Sequence, residues 1–169
     1  MRSTKKVAVA TLFGAVIFIT KIVLPSPLDK MFIVAHALLL GLGALLLRRL
    51  GATYVALVGG VLTALWRTTF APFTFTFALL YGLFVDCFFF IFKVNTVEGK
   101  VKASRLVVSM TLSTALVGFL SYYVSASLGL LPRNLVLEII LLVIGTLCGA
   151  VAGYLIGIIW NKHLKHSKF

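Results

Sequence analysis

Acidic residues are nearly missing from this chain. Four occur in 169 residues: Asp29, Asp86, Glu98 and Glu138. Histidine is as scarce, with His36 in an apolar run and His163 and His166 in the C-terminal tail. The sequence therefore offers no carboxylate pair, no His-Glu-x-x-His, no Gly-x-Ser-x-Gly and no Walker motif. Those absences exclude ATP hydrolysis by this chain alone and leave no catalytic constellation, so no enzyme activity is expected. The two cysteines, Cys87 and Cys148, lie in apolar runs without metal-ligand or redox spacing. They read as small buried hydrophobes, and neither a metal nor another cofactor is expected.

Apolar residues and positive charge are in excess. The chain is 61% hydrophobic, with a mean hydropathy of +1.12. Several runs exceed the ~18 apolar residues that mark a membrane-spanning helix. Backbone polar groups in hydrocarbon must be satisfied internally, which predicts helices. The net charge of +12 would suggest nucleic acid in a soluble protein. Here the charges stand at the ends of apolar runs, where they set topology and meet anionic headgroups. No nucleic-acid partner is expected. The N-terminal segment resembles a signal peptide but lacks an Ala-x-Ala cleavage site, so it reads as a retained first helix, with a cleaved signal as the alternative.

The pattern predicts an all-α membrane protein, residues 1–169 forming one compact bundle of six transmembrane helices. Their predicted spans are 7–24, 30–47, 52–66, 73–92, 103–128 and 134–160. Pro25-Ser-Pro27 stops the first, Arg48, Arg49 and Gly51 follow the second, and Gly129 and Pro132 end the fifth. With the N-terminus inside, one side collects Arg2, Lys5, Lys6, Arg48, Arg49, Lys93, Lys100, Lys102, Arg105, Lys162, Lys165 and Lys168. The other side collects only Lys21, Lys30, Arg67 and Arg133. This asymmetry predicts that both termini are cytoplasmic.

The stretch 52–92 organises the functional reading. Two apolar runs flank WRTTFAPFTFTF, an aromatic, hydroxylated interruption without Lys, Asp or Glu. It suits a lid at the membrane surface. Depth along each helix follows from a rise of about 1.5 Å per residue. His36, Trp66, Arg67, Tyr81, Tyr122, Tyr123, Asn134 and Glu138 then all fall in the outer third. Polar groups in a bilayer usually face a cavity or a partner. An aromatic-walled pocket with a few polar groups suits a small, partly aromatic ligand. In this reading Trp66, Tyr81, Tyr122 and Tyr123 stack on a ring, and His36, Arg67, Asn134 and Glu138 supply hydrogen bonds and charge. Plainer readings stand beside it. Trp66, Tyr122 and Tyr123 suit an interfacial belt, and His36 suits an interhelical hydrogen bond. Arg67 and Arg133 suit snorkelling, and Glu138 a pairing with Arg133.

Asp86 lies deeper, in the inner half of helix four. It suits pairing with Lys93 or Arg105, a conformational coupling, or the floor of a deep pocket, with a structural or coupling role favoured. Gly145, Gly149, Gly153 and Gly157 recur every four residues on helix six, a face that lets another backbone approach. Internal packing is expected there. Thr114, Gly118, Ser121 and Ser125 share a face of helix five. Helix one carries Ala10-x-x-x-Gly14, with Thr11-x-x-x-Ala15 beside it.

These features together resemble the S-components of energy-coupling factor transporters. The resemblance rests on the chain length, six spans with both ends inside, the basic N-terminus leading into Ala10-x-x-x-Gly14, and the Pro-containing first loop LPSPLDK. GLGALLLRRLGATYVALVGGVLTALW, the aromatic loop and the acid of helix four complete it. The hydroxymethylpyrimidine/thiamine type looks most similar, although helix three offers Val58-Gly59-Gly60 where that group carries an acid. The resemblance implies a multi-pass protein of a prokaryotic cell membrane that captures a vitamin or precursor from outside. Loops one and three would close over it. Partners would be the lipid bilayer, a T-component docked on Ala10 and Gly14, and two ATPase subunits on other chains. The alternatives are an oligomeric secondary transporter or channel subunit, and a ligand-free structural membrane protein.

Overall fold

The computed structural model describes residues 3–23, 32–47, 50–94, 100–129 and 132–164. Arg2, the Pro25–Pro27 stop, the first loop with Asp29 and Lys30, Arg48, Arg49, Glu98, Lys165, His166 and Lys168 lie outside them. The described residues form six α-helices: α1 (Ser3–Val23), α2 (Ile33–Leu47), α3 (Gly51–Trp66), α4 (Ala71–Ile91), α5 (Ala103–Ser127) and α6 (Leu135–Ile159). A five-residue π-helical turn, Trp160–Leu164, extends α6.

Among the described residues, four helical segments are long and apolar enough to cross a membrane: α1, α4, α5, and α6 with its extension. α2 and α3 are shorter, with 15 and 16 residues. At about 1.5 Å per residue they fall short of the ~30 Å hydrocarbon core. α2 is enclosed by its neighbours. α2, IVAHALLLGLGALLL, has no charged residue and touches all five other helices. A helix apolar all round is one with no solvent face to keep, and α2 is the hub. Ala37, Leu40, Ala44 and Leu47 sit in the common core with Val55 of α3, Leu106 and Met110 of α5, and Ile156 of α6.

The outer surface has the opposite character to that of a soluble bundle. α6 exposes Leu135, Val136, Ile139, Ile140, Val143, Leu147, Val151 and Ile158, while it buries Gly145, Gly149, Gly153 and Gly157. Bulky apolar groups outside and small ones inside suit a helix solvated by hydrocarbon. The glycine stripe runs along α5. A Cβ on Gly149 would stand 2.7 Å from the Met110 carbonyl oxygen, and one on Gly153 would stand 2.7 Å from Val107 Cα.

Two expectations need correction. Ala10 and Gly14 were expected to dock a partner. They are buried, and a Cβ on Gly14 would stand 2.7 Å from Val58 Cβ, so α3 already packs against Gly14. The aromatic interruption was expected to form a lid. Only Arg67 and a short 3-10 turn, Thr68–Phe70, separate α3 from α4. Pro72 lies in the first turn of α4, where its missing N–H costs nothing, and does not break the helix.

Candidate functional site

Five helices, α1 to α5, surround a cavity of about 230 Å³. Ile17, Leu40, Ala56 and Val117 give it apolar walls. Its polar lining comes from His36, Tyr81, Thr114 and Ser121, with Lys21 near the end of α1 at its rim.

Two threonines orient the two rings. Thr20 Oγ1 donates to its own helix, to the Ile17 carbonyl at 2.8 Å. It also lies 2.7 Å from His36 Nε2. A hydroxyl has one proton, so Nε2–H is the donor in the second bond. The same bookkeeping applies across the cavity. Thr114 Oγ1 donates to the Met110 carbonyl at 2.8 Å, so the Tyr81 hydroxyl, also at 2.8 Å, donates to Thr114. Ser121 likewise donates to the Gly118 carbonyl at 3.0 Å. With their protons committed to the protein, the Tyr81 and Ser121 oxygens present lone pairs to the cavity. The site therefore complements a ligand that brings N–H or O–H donors.

Among the described residues, a hydrogen bond ties α3 to α1 beside the cavity. Arg67 Nη2 donates to the Lys21 carbonyl at 2.8 Å, joining the end of α3 to the end of α1. This interaction brings Arg67 to the rim residue Lys21, although Arg67 itself does not line the cavity.

Of the eight residues expected to converge, His36 and Tyr81 line this cavity, and the others have different surroundings. Trp66 is 63% exposed at the end of α3. Tyr122 is buried, and its hydroxyl donates to the Pro132 carbonyl at 3.0 Å while accepting from the Asn134 N–H at 3.0 Å. It staples the α5–α6 connection. Asn134 is the N-cap of α6, its Oδ1 accepting from the Val136 N–H at 3.0 Å. The Arg133 guanidinium lies 5.7 Å from the Tyr123 ring centroid, a cation–π contact. Glu138 stands in the first turn of α6, where the helix dipole favours a carboxylate.

Thr20, Thr114, Gly118 and Ser121 were not singled out as site residues. The polar stripe of α5 was the available signal, and three of its four members, Thr114, Gly118 and Ser121, line the cavity.

Asp86 has a defined partner. The Ala52 N–H donates to Oδ1 at 3.1 Å, and the Thr53 N–H and hydroxyl donate to Oδ2 at 2.8 and 2.7 Å. These are first-turn groups of α3, whose own N-cap, Leu50, supplies no side-chain cap. Asp86 therefore caps α3 from α4. Gly82, one turn earlier, makes room, since a Cβ there would stand 2.8 Å from the Ala52 carbonyl. No protein-family profile, curated protein or solved structure matches the chain.

Proposed function

We propose that this chain is the substrate-capturing S-component of an energy-coupling factor importer in a prokaryotic cell membrane. It binds a single-ring heteroaromatic nutrient, with hydroxymethylpyrimidine as the first candidate, between His36 and Tyr81. The observation that carries this reading is the cavity among α1–α5, with two oriented rings and hydroxyl acceptors on apolar walls. Its volume of about 230 Å³ is below the ~300–1,000 Å³ of drug-sized sites. That size favours one ring over the two rings of thiamine. An aminopyrimidine supplies N–H donors for the Tyr81 and Ser121 oxygens and a flat face for the rings.

The reading includes six crossings with both termini inside, supported by the one-sided distribution of Lys and Arg. α2 can be short because protein surrounds it. The T-component contact falls on the more open face of α1 that carries Thr11 and Leu12, since Ala10 is buried and Gly14 packs against α3. Asp86, the one deep acid, is engaged in capping α3, which leaves little for an ion-coupled path through this chain alone.

Two experiments test this function. Labelled pyrimidine uptake is measured in cells expressing the chain alone, the T-component with its ATPases alone, or all together. Uptake is expected only with all together; uptake by the chain alone contradicts the S-component assignment. The second experiment fills the cavity. A Cβ at Gly118, a lining residue, would meet nothing within 4 Å. Gly118→Leu is therefore expected to fold at least as well as the wild type, gaining up to about 1 kcal/mol of helix propensity. It should abolish pyrimidine binding measured by isothermal titration. Tyr81→Phe removes one hydrogen-bonding oxygen and should weaken binding about tenfold.

A further inference from the structure

A second concavity, of about 390 Å³, lies at the other end of the bundle, where α4 ends and α5 begins. Lys93, Lys100, Lys102 and Arg105 line it, together with Val101 and Asn161. From Arg105 to Thr114 of the first cavity is nine residues along α5, about 13 Å. The two are separate sites, and this one does not depend on the proposed import function.

Three features distinguish it from scattered topology charges. Among the described residues, no carboxylate pairs with any of the four cations, so they repel one another across a shared space. Its frame is also built. The Val101 N–H donates to Asn161 Oδ1 at 2.9 Å, and Asn161 Nδ2 donates to the Val101 carbonyl at 3.0 Å. Arg105 Nη1 donates to the Lys93 carbonyl at 3.0 Å, which fixes the guanidinium and leaves its other N–H groups for a ligand. The third feature is the position of Lys93. The Val94 N–H returns to the Phe89 carbonyl and the Lys93 N–H to the Phe90 carbonyl, closing α4 with a Schellman motif. Lys93 holds the left-handed position, at φ 49°, where glycine is the favoured residue. A lysine there trades backbone comfort for a charge at the cavity. α5 adds its N-terminus, which has no acid in its first turn and no side-chain cap at Lys102.

The geometry points to a binding site for a phosphate-bearing anion, formed by Lys93, Lys100, Lys102 and Arg105. A phosphate offers oxygens to the Arg105 fork and charge to the three ammonium groups. Basic pockets between helices at a membrane face suit anionic lipid headgroups, and a free phosphate shares that chemistry.

The test uses the purified full-length protein in mixed micelles. Thermal unfolding is followed with added phosphatidylglycerol, phosphatidylcholine or inorganic phosphate. Phosphatidylglycerol is expected to raise the transition by about 5 °C over phosphatidylcholine. Lys100→Gln/Lys102→Gln, at two exposed positions, should reduce that shift to under about 1 °C. Lys93→Gly is the discriminating variant. It relieves the left-handed backbone, so it should unfold no earlier than wild type in phosphatidylcholine yet lose most of the phosphatidylglycerol shift. A shift with inorganic phosphate alone, lost in the same variants, supports the site with a free anion as its ligand. No shift with either anion, or a shift retained in all variants, overturns the proposal.

Discussion

Gly153→Leu is expected to leave almost no folded protein. A Cβ alone at this position would stand 2.7 Å from Val107 Cα and 2.8 Å from the Leu106 carbonyl oxygen. Both are backbone atoms, which cannot swing aside as the end of a side chain can. Two helices that meet through backbone must separate to admit a side chain, and the dispersion contacts along their whole length go with that separation. Alanine at Gly153 should cost about 1–3 kcal/mol, within the usual range for overpacking. Leucine should exceed it and remove the monodisperse peak in size-exclusion chromatography of the expressed protein. Val151 provides the control on the same helix. It is 49% exposed on the outer surface, so Val151→Leu should change stability by no more than about 0.5 kcal/mol. A folded, stable Gly153→Leu protein would mean that α5 and α6 do not meet as described.

Asp86→Ala carries the second large effect. Asp86 accepts three hydrogen bonds from the first turn of α3, and α3 has no cap of its own. Alanine leaves two backbone N–H groups and the Thr53 hydroxyl without that acceptor, in a setting where water replaces it poorly. Each unsatisfied buried donor costs about 1–3 kcal/mol, and partial relaxation brings the expected total to about 2–4 kcal/mol. The thermal transition should fall by on the order of 10 °C. Thr53→Val removes one of the three donors and should cost about 1 kcal/mol. The two changes share a partner, so the double variant should lose less than the sum. Additive losses would show that the carboxylate and the hydroxyl act independently.

Helix ends were legible because their punctuation is local. Gly129, expected to end the fifth helix, takes the left-handed position after α5, at φ 73°. The glycine stripe of α6 was legible for a similar reason: a spacing of four places every member on one face. Azimuth could not be read. A helix that is apolar on all sides gives no period to say which side faces inward, so Trp66 and Tyr122 stand away from the cavity. Thr114 and Ser121 were visible only as a packing stripe, yet they supply its polar wall. The partner of Asp86 was illegible in a different way. Backbone N–H groups leave no mark in a sequence, and the only hint was negative: Leu50 and Gly51 open α3 without a capping side chain.

The most direct test of the central claim is native mass spectrometry of the gently purified protein, followed by titration with hydroxymethylpyrimidine. The wild type should carry or take up one small heteroaromatic molecule, and Gly118→Leu should carry none while remaining folded. A wild type that stays empty and fails to bind, or a filled-cavity variant that binds equally well, would contradict the assignment of the His36–Tyr81 cavity as the capture site.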